Sequence, residues 1–218
     1  MKIYPSLISS DLLNLEKSIK SLDDHCDGYH LDVMDGHFVP NLTWGPAFIK
    51  RIIATTKLPV DVHLMVENPY WWVDKFELRE NDEFVFHYES LVDKDKILLL
   101  IELLKKKNWK IGIAINPKTD IEKIIPFLPL LDQVLLMSVE PGFSGQKFIS
   151  SVAQKVTELM KIKKSKNYIF KICMDGGIGK DNIKMISDLG VEQCGVASSI
   201  FGEGNPVENL RNLYNLVK

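Results

Sequence analysis

Disulfide chemistry has little to work with in this chain. Its 218 residues include only three cysteines, Cys26, Cys173 and Cys194, far apart, odd in number and without a Cys-x-x-Cys spacing. That argues against a disulfide framework and against a thiolate zinc site. Cys173 and Cys194 fall in expected strands and read as small buried residues. Long apolar runs are also missing: nothing approaches the length of a bilayer span, and no signal-peptide core opens the sequence. A cytoplasmic protein with no membrane partner is therefore expected. Neither sign of charge dominates, since 27 Lys and Arg stand against 29 Asp and Glu for a net charge of -2. With no basic excess, no nucleic-acid partner is expected. The densest basic cluster, Lys105 to Lys107, ends a helical pattern, where positive charge complements the helix dipole. Linkers and low-complexity tracts are absent, so residues 1–218 are expected to form one domain.

What is present is an ordinary globular composition, 45% hydrophobic and 26% charged, arranged as short apolar segments alternating with longer amphipathic ones. Strands are expected at Lys2–Ile8, Gly28–Val33, Pro59–Met65, Glu83–His87, Lys110–Ile115, Gln133–Val139, Tyr168–Met174 and Gln193–Ala197. Helices are expected near Asp11–Asp24, with Ser10 or Asp11 as cap, and near Ala47–Ala54, Pro69–Leu78, Lys94–Lys107, Asp120–Phe127, Phe148–Lys163, Lys180–Leu189 and Leu210–Val217. Near-continuous apolar strands alternating with helices imply a parallel sheet with its outer face covered. Eight such units predict an α/β fold, a closed (β/α)8 barrel of the TIM type. An open doubly wound sheet is disfavoured, because no Gly-x-Gly-x-x-Gly follows the first strand.

In a parallel barrel, chemistry sits where strands end and the following loops begin, and the unusual residues collect there. The segment YHLDVMDGHFVPNLTWGP, Tyr29 to Pro46, carries His30 and Asp32 two apart, hence on one strand face. The third strand carries Asp61 and His63 in the same relation, and the seventh ends in Asp175-Gly176-Gly177. His30, Asp32, His63 and Asp175 form a mixed nitrogen and oxygen set suited to zinc, manganese, ferrous iron or cobalt and not to calcium. Each of the four alone also reads as a satisfied core polar group. Asp61 could orient a ligand from behind or point elsewhere. Gly176-Gly177 and Ala197-Ser198 occupy the usual position of a barrel phosphate site, and the helix start after Ser198 would favour an anion. The glycines of Pro141 to Gln146 could close over a ligand, although a tight turn with positive φ explains each of them equally well.

Several of these segments occur in a known order: PSLISSD (Pro5–Asp11), HLDVMDGHFVPNLTWGP (His30–Pro46), DVHLMV (Asp61–Val66), FHYE (Phe86–Glu89), LMSVEPGFSGQKFI (Leu136–Ile149) and DGGI (Asp175–Ile178). Along essentially its whole length the chain resembles the ribulose-phosphate 3-epimerase family. The resemblance implies a metal-dependent interconversion of D-ribulose 5-phosphate and D-xylulose 5-phosphate in the pentose phosphate pathway, in a ribulose-phosphate-binding barrel. It implies His30, Asp32, His63 and Asp175 as ligands of one divalent ion (zinc, ferrous iron, manganese or cobalt), with Asp32 and Asp175 also as the acid–base pair. Two carboxylates on opposite faces suit inversion at a carbon beside a ketone, because one removes the proton and the other returns one to the far face, through a metal-stabilised cis-enediolate. The resemblance further implies substrate contacts from Ser6, His63, Gly142, Phe143, Ser144, Gly145, Asp175, Gly176, Gly177, Ala197 and Ser198, and a lining of Met34, Met65 and Met137, which spacing alone would assign to the core. The family forms homo-oligomers, from dimers upward.

Two positions depart from the family pattern: Ala197-Ser198 stands where Gly-Ser is usual, and Ser144 where Gly is more usual. A methyl group at Ala197 would crowd a backbone N–H against a phosphate, which leaves room for a related substrate such as D-allulose 6-phosphate. An orotidine-phosphate-decarboxylase-like enzyme needs a Lys among Asp residues, and DVHLMV has His63 and no Lys. A non-catalytic sugar-phosphate binding barrel could lose any of the four ligands, and this chain retains all of them. His25, His37 and His87 receive no defined role, although His87 could steady the barrel rim.

Overall fold

The computed structural model describes residues 1–217, so Lys218, the last residue of the expected domain, lies outside the described part. Eight strands form one parallel sheet: β1 (Lys2–Pro5), β2 (Tyr29–Met34), β3 (Val60–Met65), β4 (Glu83–His87), β5 (Lys110–Ile115), β6 (Gln133–Met137), β7 (Lys171–Asp175) and β8 (Gln193–Val196). From β2 to β8 each strand pairs with the next, and β8 pairs with β1. A single bridge between Ser6 and His30 joins the β1 edge to β2 and closes the ring. The expected barrel is therefore the observed fold.

The strands read as unbroken apolar runs because both faces are buried. Every residue of β2 and of β3 is buried. Leu31, Val33, Val62 and Leu64 face the helical layer and join the main core with Phe84, Ile113 and Leu136. The alternate positions point into the barrel. There Val85, Ala114, Leu135, Met137 and Cys173 form a small apolar cluster. Beneath it lies a polar group, in which the Lys171 ammonium donates to Glu83 and to Gln193 Oε1 at 2.9 Å, and Gln193 Nε2 donates to Glu83 Oε2 at 3.1 Å.

The helices are α1 (Leu15–Leu22), α2 (Pro46–Thr55), α3 (Tyr70–Val73), α4 (Lys94–Lys106), α5 (Ala153–Lys166), α6 (Ile183–Asp188), α7 (Ser198–Phe201) and α8 (Pro206–Leu216). In α4, Ile97, Leu100, Ile101 and Leu104 are buried, the 3.6-residue stripe that seats a helix on a sheet. Asp93 caps α4 by accepting from the Asp95 and Lys96 N–H groups at 2.9 and 3.1 Å. Truncating Leu100 to Ala would cost about 2–5 kcal/mol.

Several elements differ from expectation, for identifiable reasons. The strand expected to run to Ile8 stops at Pro5, and the chain turns through a 3-10 segment at Leu7–Ser9. The helix expected from Asp11 opens as 3-10 structure at Leu12–Asn14, with the Asp11 carboxylate accepting from the Leu13 N–H, and becomes α-helical only at Leu15. The helix expected over Pro69–Leu78 is four residues long. The segment after β5 forms two 3-10 pieces, Ile121–Lys123 and Ile125–Leu130, since Pro126 and Pro129 cannot donate to an α-helical ladder. α5 starts five residues later than expected, at Ala153, and runs to Lys166 before Asn167 ends it in the left-handed region at φ 53. β7 starts at Lys171, not Tyr168, and α6 is confined to Ile183–Asp188. α8 starts four residues earlier, at Pro206, because Asn205 caps it through the Val207 and Glu208 N–H groups.

Candidate active site

The inward positions of β2, β3 and β7 bring His30, Asp32, His63 and Asp175 together at the C-terminal end of the barrel. One ligand atom from each lies within 4.8 Å of all the others. The barrel register produces this: His30 pairs with Asp61 and Asp32 with His63, so alternating side chains from two strands interlock on the inner face. His30 Nε2 is 3.3 Å from His63 Nδ1 and 3.3 Å from Asp32 Oδ1, and His63 Nδ1 is 3.2 Å from Asp32 Oδ1. Asp175 Oδ2 stands 3.8 and 3.9 Å from the same two nitrogens.

These residues fit a divalent ion. A four-coordinate ion with bonds of 2.0–2.1 Å spaces its ligands about 3.3 Å apart, and three of the separations match that value. The nitrogens are also oriented for it. His30 Nδ1 faces Asp61 Oδ2 at 3.1 Å, so its N–H is held by that carboxylate and its Nε2 lone pair points into the cluster. Asp61 thus supports His30 on the neighbouring strand, not His63 on its own. Gln133 Nε2 donates to Asp61 Oδ1 at 3.3 Å and steadies it in turn.

The two carboxylates have opposite proton affinities. Burial raises the pKa of Asp32, but the His30 and His63 imidazoles overcome it and hold the carboxyl well below its ordinary range. Burial dominates at Asp175; His30 opposes it, the Asp32 and Asp61 carboxylates reinforce it, and the pKa is pushed up to about 7. Burial also opposes charge on His30, yet Asp32, Asp61 and Asp175 together raise its pKa well above the usual value. His63 goes the other way, lowered to about 4 by burial, with His87 and His30 adding to the fall against the Asp32 hydrogen bond.

Above the cluster opens a cleft of about 510 Å³, part of it open to solvent, lined by Ser6, Asp32, Met34, Met65, Met137, Gly142, Phe143, Ser144, Gly145, Asp175, Gly176, Gly177, Ala197 and Ser198. Every expected substrate-contact residue except His63 is in this lining. His63 is fully buried beneath the floor. Ser6 Oγ donates to Asp32 Oδ2 at 2.5 Å. Gly176 and Gly177 adopt φ +109 and +63, and a Cβ at Gly177 would meet the Phe148 backbone nitrogen at 2.7 Å, so both the turn and the close approach require glycine. The loop from Pro141 to Gln146 is tied across the mouth by Asn41 Nδ2, which donates to the Gly142 carbonyl at 2.7 Å.

The model of the ribulose-phosphate 3-epimerase family matches residues 2–201. The chain belongs to the ribulose-phosphate 3-epimerase family. Ribulose-phosphate 3-epimerase from Helicobacter pylori is 37% identical over 216 residues, covering 98% of each chain. The Bacillus subtilis enzyme of that name is 35% identical over 209 residues, 94% of each chain. The Methanocaldococcus jannaschii one is 38% identical over 214 residues, 98% of this chain and 89% of the relative. Orotidine 5'-phosphate decarboxylase from Pyrococcus horikoshii superposes with a TM-score of 0.68 at 14% identity, over 99% of this chain and 98% of that one. 3-Hexulose-6-phosphate synthase from Salmonella typhimurium gives 0.65 at 16% identity, over 100% and 98%. At such identities the likeness of these two is to the barrel alone.

His87 is fully buried, and its Nε2 lies 2.8 Å from His63 Nε2. Its Nδ1 faces Glu89 Oε2 at 3.1 Å. Ser138, also buried, donates its N–H at 2.7 Å and its hydroxyl at 2.9 Å to the Asp175 carbonyl and so holds the end of β7. His87-x-Glu89 repeats the two-apart polar spacing of His30-x-Asp32, a signal that could have drawn attention to it.

Proposed function

We propose that this protein is a ribulose-phosphate 3-epimerase that interconverts D-ribulose 5-phosphate and D-xylulose 5-phosphate, using Asp32 and Asp175 as its acid–base pair. The observation that carries this reading is the pair itself: two neighbouring carboxyls with proton affinities driven apart, in the cleft of a chain that belongs to the family. Environments that separate the pKa values of two titratable groups assign acid and base roles.

The two carboxyls enter the cleft from β2 and β7, three places apart round the sheet, which suits attack from opposite sides of a substrate. One carboxylate takes the C3 proton, and the C–H electron pair moves toward the ketone oxygen to give an enediolate. The other carboxyl delivers its proton to the opposite face of C3, and the ketone re-forms with inverted configuration. The residue that acts as base changes with the direction of reaction. Ser6 Oγ donates to Asp32 Oδ2 and so fixes that carboxylate. Met34, Met65 and Met137 offer the planar intermediate an apolar surface with no protons to donate. The backbone around Gly176, Gly177, Ala197 and Ser198 forms the end of the cleft suited to phosphate. A divalent ion held by His30, Asp32, His63 and Asp175 would supply Lewis-acid stabilisation of the developing negative charge. Family membership also supports a homo-oligomer, which light scattering would measure.

The test is epimerisation of D-ribulose 5-phosphate by metal-loaded protein, with Asp175→Asn as control and D-allulose 6-phosphate as rival substrate. Pentose turnover that the substitution abolishes is expected. A clear preference for the hexose would keep the chemistry and reassign the substrate, with Ala197 and Ser144 as the residues responsible. No turnover of either by metal-loaded protein would overturn the assignment.

A further inference from the structure

Outside the four-residue cluster, the chain carries a second, contiguous line of buried polar groups leading away from it. His63 Nε2 lies 2.8 Å from His87 Nε2, and His87 Nδ1 lies 3.1 Å from Glu89 Oε2. Glu89 Oε1 accepts from the Asn116 N–H at 2.8 Å and from the Thr119 hydroxyl. The Lys155 ammonium on α5 fixes the loop that supplies these donors, by donating to the carbonyls of Asn116 at 3.2 Å, Pro117 at 2.8 Å and Thr119 at 2.5 Å. The Phe38 ring packs on His87 with centroids 4.9 Å apart. His63 and His87 have no exposed surface, so water does not compete for their nitrogens.

Two imidazole nitrogens facing each other at 2.8 Å must share one hydrogen, and the direction of the line is set at its far end. The Glu89 carboxylate can only accept, and it already takes two other donors. His87 therefore carries its hydrogen on Nδ1 and presents a lone pair at Nε2. His63 must then carry its hydrogen on Nε2, which frees Nδ1. That atom is the one 3.2 Å from Asp32 Oδ1 and 3.3 Å from His30 Nε2, inside the cluster.

We propose that His87 and Glu89 are positioning residues that select the His63 tautomer able to bind the ion through Nδ1. They touch neither substrate nor ion and act through His63. The proposal rests on the reading of the four-residue cluster as a metal centre. Asp61 performs the matching task for His30 by a direct carboxylate contact, whereas His63 receives its carboxylate at one imidazole's remove.

Two measurements test this. In uniformly 15N-labelled, zinc-loaded native protein, long-range 1H–15N spectra of the imidazoles should show hydrogen on Nε2 of His63 and on Nδ1 of His87. Hydrogen on Nε2 of His87 would overturn the proposal. Cobalt(II) affinity is then compared, by chelator competition, among native protein, His87→Leu and His87→Gln. Leucine fills a similar volume but offers no acceptor, while glutamine can present an oxygen close to where Nε2 lies. Leucine should weaken cobalt binding about 10–100-fold, the usual effect of removing a ligand's hydrogen-bond partner, and glutamine should restore most of the loss. Equal affinities for leucine and native protein, or equal losses for both variants, would mean that His87 only fills space. Should the leucine variant not fold, the spectra of native protein and the glutamine affinity still decide. Native protein that takes up no cobalt would sink the metal-centre reading itself, and the proposal with it, an outcome distinct from equal affinities.

Discussion

Gly195 on β8 lies directly behind the cluster, and Gly195→Ala turns that proximity into a measurable effect. A Cβ at this position would lie 2.9 Å from Asp175 Oδ1 and 3.2 and 3.3 Å from Cγ and Cδ2 of His30. Its φ lies outside the left-handed region, so alanine meets no backbone strain and the clash is the whole effect. Comfortable carbon contacts lie near 3.5–4.0 Å, so the carboxylate must retreat by about 0.5 Å and the imidazole by somewhat less. Overpacking of this kind costs about 1–3 kcal/mol. At about 2–4 °C per kcal/mol for a chain of this length, the melting temperature should fall by several degrees. Catalysis should suffer more specifically. A misplacement of 1 Å costs about a hundredfold, so half that distance predicts about a tenfold loss in kcat/KM. A coupled assay of D-ribulose 5-phosphate epimerisation and a thermal melt measure the two effects. Gly45→Ala is the control, because a Cβ there meets nothing within 4 Å. A Gly195→Ala protein with unchanged melting temperature and full activity would refute the geometry of the four-residue cluster given above.

Three further outcomes are expected. Lys171→Met leaves Glu83, 5% exposed, without its ammonium partner, and should destabilise the protein by about 3–5 kcal/mol in denaturant titration, with Glu83→Gln in the same chain recovering part of the loss. Metal binding should release protons, because without an ion His30 holds a proton well above its ordinary pKa and Asp175 titrates at about 7, and ligation needs both groups deprotonated. The affinity should therefore weaken as pH falls through 7, and calorimetry in buffers of different ionisation enthalpy that detects no proton release at neutral pH would contradict this. Ala197→Gly should lower KM for the pentose phosphate by less than about tenfold and leave kcat unchanged, since Ala197 lines the end of the cleft proposed above to take the phosphate; a raised KM would show that the methyl group helps binding.

The barrel was legible because parallel strands buried on both faces leave unbroken apolar runs, and glycine and proline punctuate the gaps. The four-residue cluster was legible because His30-x-Asp32 and Asp61-x-His63 put polar pairs on one face of such runs, at the end where a barrel gathers its chemistry. Contacts across strands were not legible. The sequence left open whether Asp61 orients a ligand, and the register answers by placing it opposite His30. His87 looked like an isolated histidine because its partner is 24 residues away and meets it only through the stagger of β3 on β4. Likewise, hydrophobic period alone suggested an α-helix at Asp120–Phe127, and Pro126 and Pro129 overruled it.

The way the ring closes gives the site a mechanical role as well. Seven of the eight strand junctions are ladders, while β1 meets β2 through one backbone bridge, Ser6 to His30, together with the Ser6 hydroxyl on Asp32. The residues at this clasp are also members of the cluster and its lining. Anything that grips His30 and Asp32 therefore also fastens the loosest join in the wall, and tethers it to Asp175 on β7. Occupancy should be felt far from the cleft, as slowed amide exchange along β1 and β2 and as resistance to proteases that enter by parting those two strands.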